Sequence, residues 1–79
     1  MNNIHKTAII GTGYWGSIIV NTLIKITKRK IVIYDKLLEN SLLLKKKFKN
    51  RILIAKNYNE ILTNQKIKNI ILATHPGVN

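Results

Sequence analysis

The sequence predicts an α/β protein built on a parallel sheet, and three observations carry that prediction. Short apolar runs recur at Lys6–Ile10, Ile31–Tyr34, Ile52–Ala55 and Asn69–Ala73. Segments with helical spacing of apolar residues lie between them. A glycine-rich turn, Gly11-Thr12-Gly13-Tyr14-Trp15-Gly16, joins the first run to the first helical segment. Runs that are apolar without alternation suit strands covered on both faces, the usual condition of parallel sheets. The expected order is β-α-β-α-β-α-β. Right-handed crossovers then place the strands 3-2-1-4, with the switch point between the first and the fourth.

The turn at Gly11–Gly16 has the G-x-G-x-x-G spacing, preceded by a strand and followed by a helix. Each glycine has a separate expected role: Gly11 for the sharp turn, Gly13 for close approach of a pyrophosphate, Gly16 for helix–strand packing. The free N–H groups and positive dipole end of the new helix would face the phosphates. From Trp15 the apolar positions Ile18, Ile19, Leu23 and Ile26 fall on one helical face, with Ser17, Asn21, Thr22 and Lys25 opposite. The helix is rich in β-branched residues, so packing on the sheet must stabilise it. Lys28, Arg29 and Lys30 read as a solvated helix exit complementing the dipole.

The second strand ends at Asp35, 19 residues after Gly16. The acidic residue that binds a ribose in dinucleotide sites lies roughly 20 residues on, so Asp35 is the candidate. Capping of the following helix is its other reading. A carboxylate here repels a 2′-phosphate and favours NAD, while Lys36 beside it could tolerate NADP. Leu38, Leu42, Leu44 and Phe48 then supply the apolar face of a second helix, whose Lys45, Lys46, Lys47 and Lys49 go largely to solvent.

Asn50 and Arg51 make a break before the third strand. Tyr58, Ile61 and Leu62 mark a brief helix reached through Asn57 and Asn59, with Tyr58 as a packing residue. Thr63–Lys68 reads as a polar loop. The fourth strand is expected to be apolar on both faces and to lead into Thr74-His75-Pro76-Gly77, where Pro76 and Gly77 stop it. Gly11–Gly16 and Thr74–Gly77 would sit side by side at the carboxyl edge of the sheet. This is the arrangement of an incomplete Rossmann-type sheet.

The totals limit other readings. A chain of 79 residues buries only about 60–65% of its unfolded surface, so its stability is marginal. It has no cysteine, which excludes disulfides, thiolate metal sites and a cysteine nucleophile, and fits a reducing cytoplasm. No long apolar stretch suggests a signal peptide or membrane span. The net charge of +11 suggests nucleic acid or an anionic membrane surface. Its cations are spread along the chain with few interleaved aromatics, which favours compositional bias instead. His5 reads as an exposed residue without a chemical role.

Gly-Thr-Gly-Tyr-Trp-Gly at Gly11–Gly16, Asp35, and Ile-Ile-Leu-Ala-Thr-His-Pro at Ile70–Pro76 resemble the glucose–fructose oxidoreductase and inositol dehydrogenase family. The resemblance covers essentially the whole chain and the first two-thirds of a family nucleotide-binding domain. It implies a cofactor of NAD, or NADP. Backbone groups of Thr12, Gly13, Tyr14 and Trp15 would cradle the pyrophosphate, and Asp35 would hold the adenosine ribose. Ala73, Thr74, His75 and Pro76 would line the nicotinamide-side ribose and the adenosine edge. His75 stands where the family usually has a proline, and Asn79 where it often has a histidine.

The family's catalytic lysine, in a Glu-Lys-Pro motif, and its C-terminal substrate domain have no counterpart in residues 1–79. No catalytic or metal-binding residue is therefore expected, and His75 reads as a loop histidine rather than a substitute base. Three functions remain. The chain is the N-terminal part of an oxidoreductase that moves a hydride between a sugar or sugar-nucleotide alcohol and nicotinamide. Alternatively it is a non-catalytic nucleotide-binding or partner-docking module, or a basic nucleic-acid-binding protein. The first predicts self-association through an unpaired fourth strand.

Overall fold

In the computed structural model, residues 7–73 are described. Expectations for His5, Thr74, His75, Pro76, Gly77 and Asn79 lie outside the described residues. The elements follow the order β1 (Thr7–Ile10), α1 (Tyr14–Ile26), β2 (Ile31–Tyr34), α2 (Leu38–Phe48), β3 (Ile52–Ile54), α3 (Tyr58–Leu62) and β4 (Asn69–Leu72). A short 3₁₀ turn, Lys49–Arg51, joins α2 to β3. All pairings are parallel and the strand order is β3-β2-β1-β4, as the crossover rule predicts.

The register puts Ala8 beside Val32 and Ile70, and Ile9 beside Ile33 and Ile71. Alternation along the strands then sends side chains to two separate cores. Ile9, Ile31, Ile33 and Ile52 pack with Val20 of α1 and Leu44 of α2 on one face. Ala8, Ile10, Val32 and Ala55 meet Ile61 of α3 on the other. Each wholly buried isoleucine contributes about 1.5–3 kcal/mol by leaving water.

Three details differ from the sequence reading. α1 buries Gly16 and Val20 and half-buries Ile19, Leu23 and Ile24, whereas Ile18 is exposed and Ile26 is 72% exposed. The sheet-facing stripe is rotated toward Gly16, because the absence of a side chain there lets the helix close on the strand. α2 is rotated similarly: Ser41 and Leu44 are buried, while Leu38 and Leu42 are exposed, Leu42 by 50%. The residues at positions 41, 44 and 48 share one face at i, i+3, i+7 spacing, and Leu38 and Leu42 sit beside it rather than on it. β4 is the outermost strand, with Ile70 exposed and Leu72 63% exposed, not covered on both faces.

Cationic side chains fasten two connections. The Arg51 guanidinium donates to the carbonyls of Ile24, Thr27 and Arg29, closing the carboxyl end of α1. Lys45, expected in solvent, is half-buried and donates from Nζ to the Ile52 carbonyl at 2.7 Å. Arg29, part of the expected solvated exit, is also half-buried. α3 is capped at Asn57, whose Oδ1 accepts from the Glu60 N–H at 2.8 Å. Glu60 Oε1 in turn accepts from the Lys56 N–H at 2.7 Å.

Candidate functional site

The three glycines of the turn have different surroundings. Gly11 has φ 94°, a left-handed conformation that favours glycine, and its N–H donates to the Tyr34 carbonyl at 2.8 Å. A Cβ at Gly16 would lie 1.8 Å from the Gly11 carbonyl oxygen and 2.7 Å from its carbon. Gly16 is therefore required by the packing of α1 on the turn. Gly13 has no such packing need: a Cβ there would meet nothing within 4 Å. The chain has left open space at the position where a pyrophosphate would approach.

α1 begins with no acidic residue in its first turn and no side-chain cap. The first helical bond is from the Ser17 N–H to the Gly13 carbonyl, at 2.9 Å. Among the described residues, the N–H groups of Tyr14, Trp15 and Gly16 have no hydrogen-bond partner. These donors and the positive helix end suit an anion. Thr12 behaves differently: it is only 3% exposed, and its N–H donates to Asp35 Oδ2 at 2.6 Å. The expected cradle therefore loses the Thr12 N–H, which is already used inside the protein.

Asp35 closes β2 and is held by the turn. Oδ2 accepts from the Thr12 N–H, the Thr12 hydroxyl (3.2 Å) and the Asn40 side-chain amide (3.4 Å). Oδ1 accepts from the Leu37 N–H at 2.8 Å. Burial works to raise the carboxyl's pKa, but these hydrogen bonds outweigh it and hold it below its ordinary 3.8. Thr12 Oγ1 also lies 3.5 Å from Ser41 Oγ, which is 1% exposed. With the Thr12 proton directed at Asp35, Ser41 is the donor in that pair. The carboxylate is thus ionised and fixed in direction, and Oδ1 retains acceptor capacity for one more donor. Asp35 does not cap α2, whose N-cap is Leu37 without a side-chain hydrogen bond; its carboxylate instead closes the turn at Leu37, and the residue lines the cleft.

A cleft of about 840 Å³ opens at the carboxyl edge of the sheet. Gly11, Gly13, Tyr14, Trp15, Asp35 and Ala73 line it, so six of the expected site residues are brought together. Thr12 and Gly16 stand behind its wall. Ile10, Tyr34, Lys36, Leu37, Tyr58 and Leu72 complete the lining. Tyr58, which the sequence suggests as a packing residue, is 45% exposed at the cleft. Tyr14 and Trp15 meet edge to face, with ring centroids 5.5 Å apart. No family model, curated protein or solved structure matches the chain.

Sequence reasoning missed Asn40 and Ser41, the polar residues that orient Asp35 and Thr12. Ser41 offered a signal, since it lies three residues before Leu44 on the helix face that packs inward. Among the described residues there is no cluster of three His, Cys, Asp or Glu suited to a metal. Nor is any described helix long and apolar enough to cross a membrane.

Proposed function

We propose that the cleft binds NAD, and that the chain is the cofactor-binding part of an oxidoreductase acting on a sugar or sugar-nucleotide alcohol. The observation that carries the binding proposal is Gly13, where an added Cβ would meet nothing inside the chain. It stands beside the free N–H groups of the first turn of α1, so a pyrophosphate could approach the backbone where a side chain would obstruct it. The enzyme class rests on the family resemblance of the sequence motifs, and a cytoplasmic location on the absence of cysteine.

Gly13, Tyr14 and Trp15 would hold the pyrophosphate through their backbone. Asp35 would take an adenosine ribose hydroxyl at Oδ1. Its fixed negative charge opposes a 2′-phosphate, which favours NAD over NADP even with Lys36 at the rim. Tyr34, Leu37 and Tyr58 offer apolar walls on the same side. Bound nicotinamide would supply hydride transfer, and the substrate must then be held against it by residues beyond those described. No catalytic residue is assigned.

Trp15 is the single tryptophan of the sequence and lines the cleft, so its fluorescence reports binding directly. Titration with NAD should change that emission saturably, with NADP weaker. Gly13→Val should abolish the response while leaving far-ultraviolet circular dichroism intact. An unaltered titration in Gly13→Val would remove the basis of the proposal.

A further inference from the structure

The cations are dispersed in the sequence but not in the fold. In a parallel α/β sheet every helix ends, and every strand begins, at the same edge. α1 ends with Lys25 and passes through Lys28, Arg29 and Lys30 into β2. α2 ends with Lys45, Lys46 and Lys47, and Lys49 and Arg51 lead into β3. Lys66 and Lys68 lead into β4. Among the described residues, the cations at the opposite, carboxyl edge are Lys36 and Lys56, which stand there with the three acids Asp35, Glu39 and Glu60. The carboxyl edge is thus close to neutral, and the +11 of the chain is almost wholly an amino-edge charge.

Local helix chemistry does not account for that excess. The carboxyl end of a helix carries roughly half a negative charge, so α1 and α2 together offset about one cation. No carboxylate lies among these residues to neutralise the rest. Arg51 donates to the Arg29 carbonyl near the end of α1, and Arg29 Nη1 is buried with no hydrogen-bond partner among the described residues. Lys28, Lys30, Lys46, Lys47, Lys49 and Lys68 are exposed.

We infer that the amino edge is a docking surface for a nucleic-acid duplex, read through its phosphates. The cations precede β3, β2 and β4, so they run along the edge across the full strand order. Four strands at about 4.8 Å spacing make that row on the order of 14 Å long, comparable with the roughly 12 Å width of a major groove. A row on this scale can meet phosphates of both backbones. The aromatic residues Tyr14, Trp15, Tyr34 and Tyr58 all line the cleft at the other edge, and Phe48 is half-buried under Lys47 Nζ, 5.2 Å from the ring centroid. The amino edge therefore lacks a stacking platform for unpaired bases, and its contacts are with the backbone of a duplex, independent of base sequence. This surface is separate from the nucleotide cleft and does not depend on it.

The test compares two double variants that remove the same charge from opposite edges: Lys28→Gln/Lys46→Gln and Lys36→Gln/Lys56→Gln. All four lysines are exposed, and thermal melts of both variants confirm that each is folded. Fluorescence anisotropy with labelled DNA and RNA duplexes of random sequence gives affinity against salt. The amino-edge pair should lose about tenfold per lysine at 50 mM salt, and its log–log salt slope should fall by about 1.8. The carboxyl-edge pair should lose less than about threefold. Equal losses in both pairs would overturn the inference, because binding would then follow net charge alone. So would tighter binding, by the same lysines, to vesicles containing phosphatidylserine than to either duplex. A preference for DNA over RNA, or the reverse, identifies which duplex is bound.

Discussion

Gly16→Ala and Gly13→Ala place the same methyl group three residues apart on one turn, with opposite expected results. At Gly16 the new Cβ would stand 1.8 Å from a backbone oxygen and 2.7 Å from its carbon. Those atoms belong to Gly11, already fixed at positive φ and bonded to Tyr34, so they cannot rotate aside as a side chain would. Relief requires α1 to move away from the sheet, which loosens Val20 from the core it shares with Ile9 and Ile33. Overpacking costs typically 1–3 kcal/mol and more when backbone must shift; about 3 kcal/mol is expected. A domain of this size has roughly 4–12 kcal/mol in all, and the melting temperature should fall by about 12–24 °C. Gly13→Ala meets nothing within 4 Å and should change stability by less than about 1 kcal/mol. Circular-dichroism melts of both variants measure the difference. Similar melting temperatures for the two would refute the division of roles among the glycines.

Three further outcomes follow from the same geometry. Asp35 has a folded pKa below its ordinary 3.8. The stability it contributes is complete above that ordinary value and is lost as pH falls through the folded one. Acid unfolding of Asp35→Asn should lack this component, and parallel acid limbs for the two proteins would contradict it. Asn57→Ala removes the cap of α3 and should cost about 1 kcal/mol, lowering the melting temperature by roughly 4–8 °C. The outer edge of β4 is unpaired among the described residues and carries exposed Ile70 and Leu72. Sedimentation should show self-association at high concentration that Ile70→Lys suppresses; a clean wild-type monomer would argue against it.

The sheet was legible because its signals are local and redundant. Apolar runs without alternation mark β1 and β2, Gly11 marks the turn, and chirality fixes the order once the elements are placed. The helix faces were less legible because exposed leucines and isoleucines outnumber the buried ones. In α2, Ser41 and Leu44 face inward while Leu38, Leu42 and Leu43 face out, so hydrophobicity alone selects the wrong stripe. β4 is as apolar as β1, and its position at the sheet's edge leaves it exposed. At the site, spacing found the glycines and Asp35. It did not show that Asp35 already accepts the Thr12 N–H, because that bond depends on how β2 and the turn meet. The polarity of the charge was likewise hidden, since it arises from every helix ending at one edge.

Calorimetric titration of the purified chain with NAD, beside NADP and with Gly13→Val as control, tests the nucleotide site most directly. Saturable NAD binding, weaker with NADP and lost in a folded Gly13→Val variant, is the expected result. Absence of heat with NAD in a wild-type chain that melts cooperatively would contradict it.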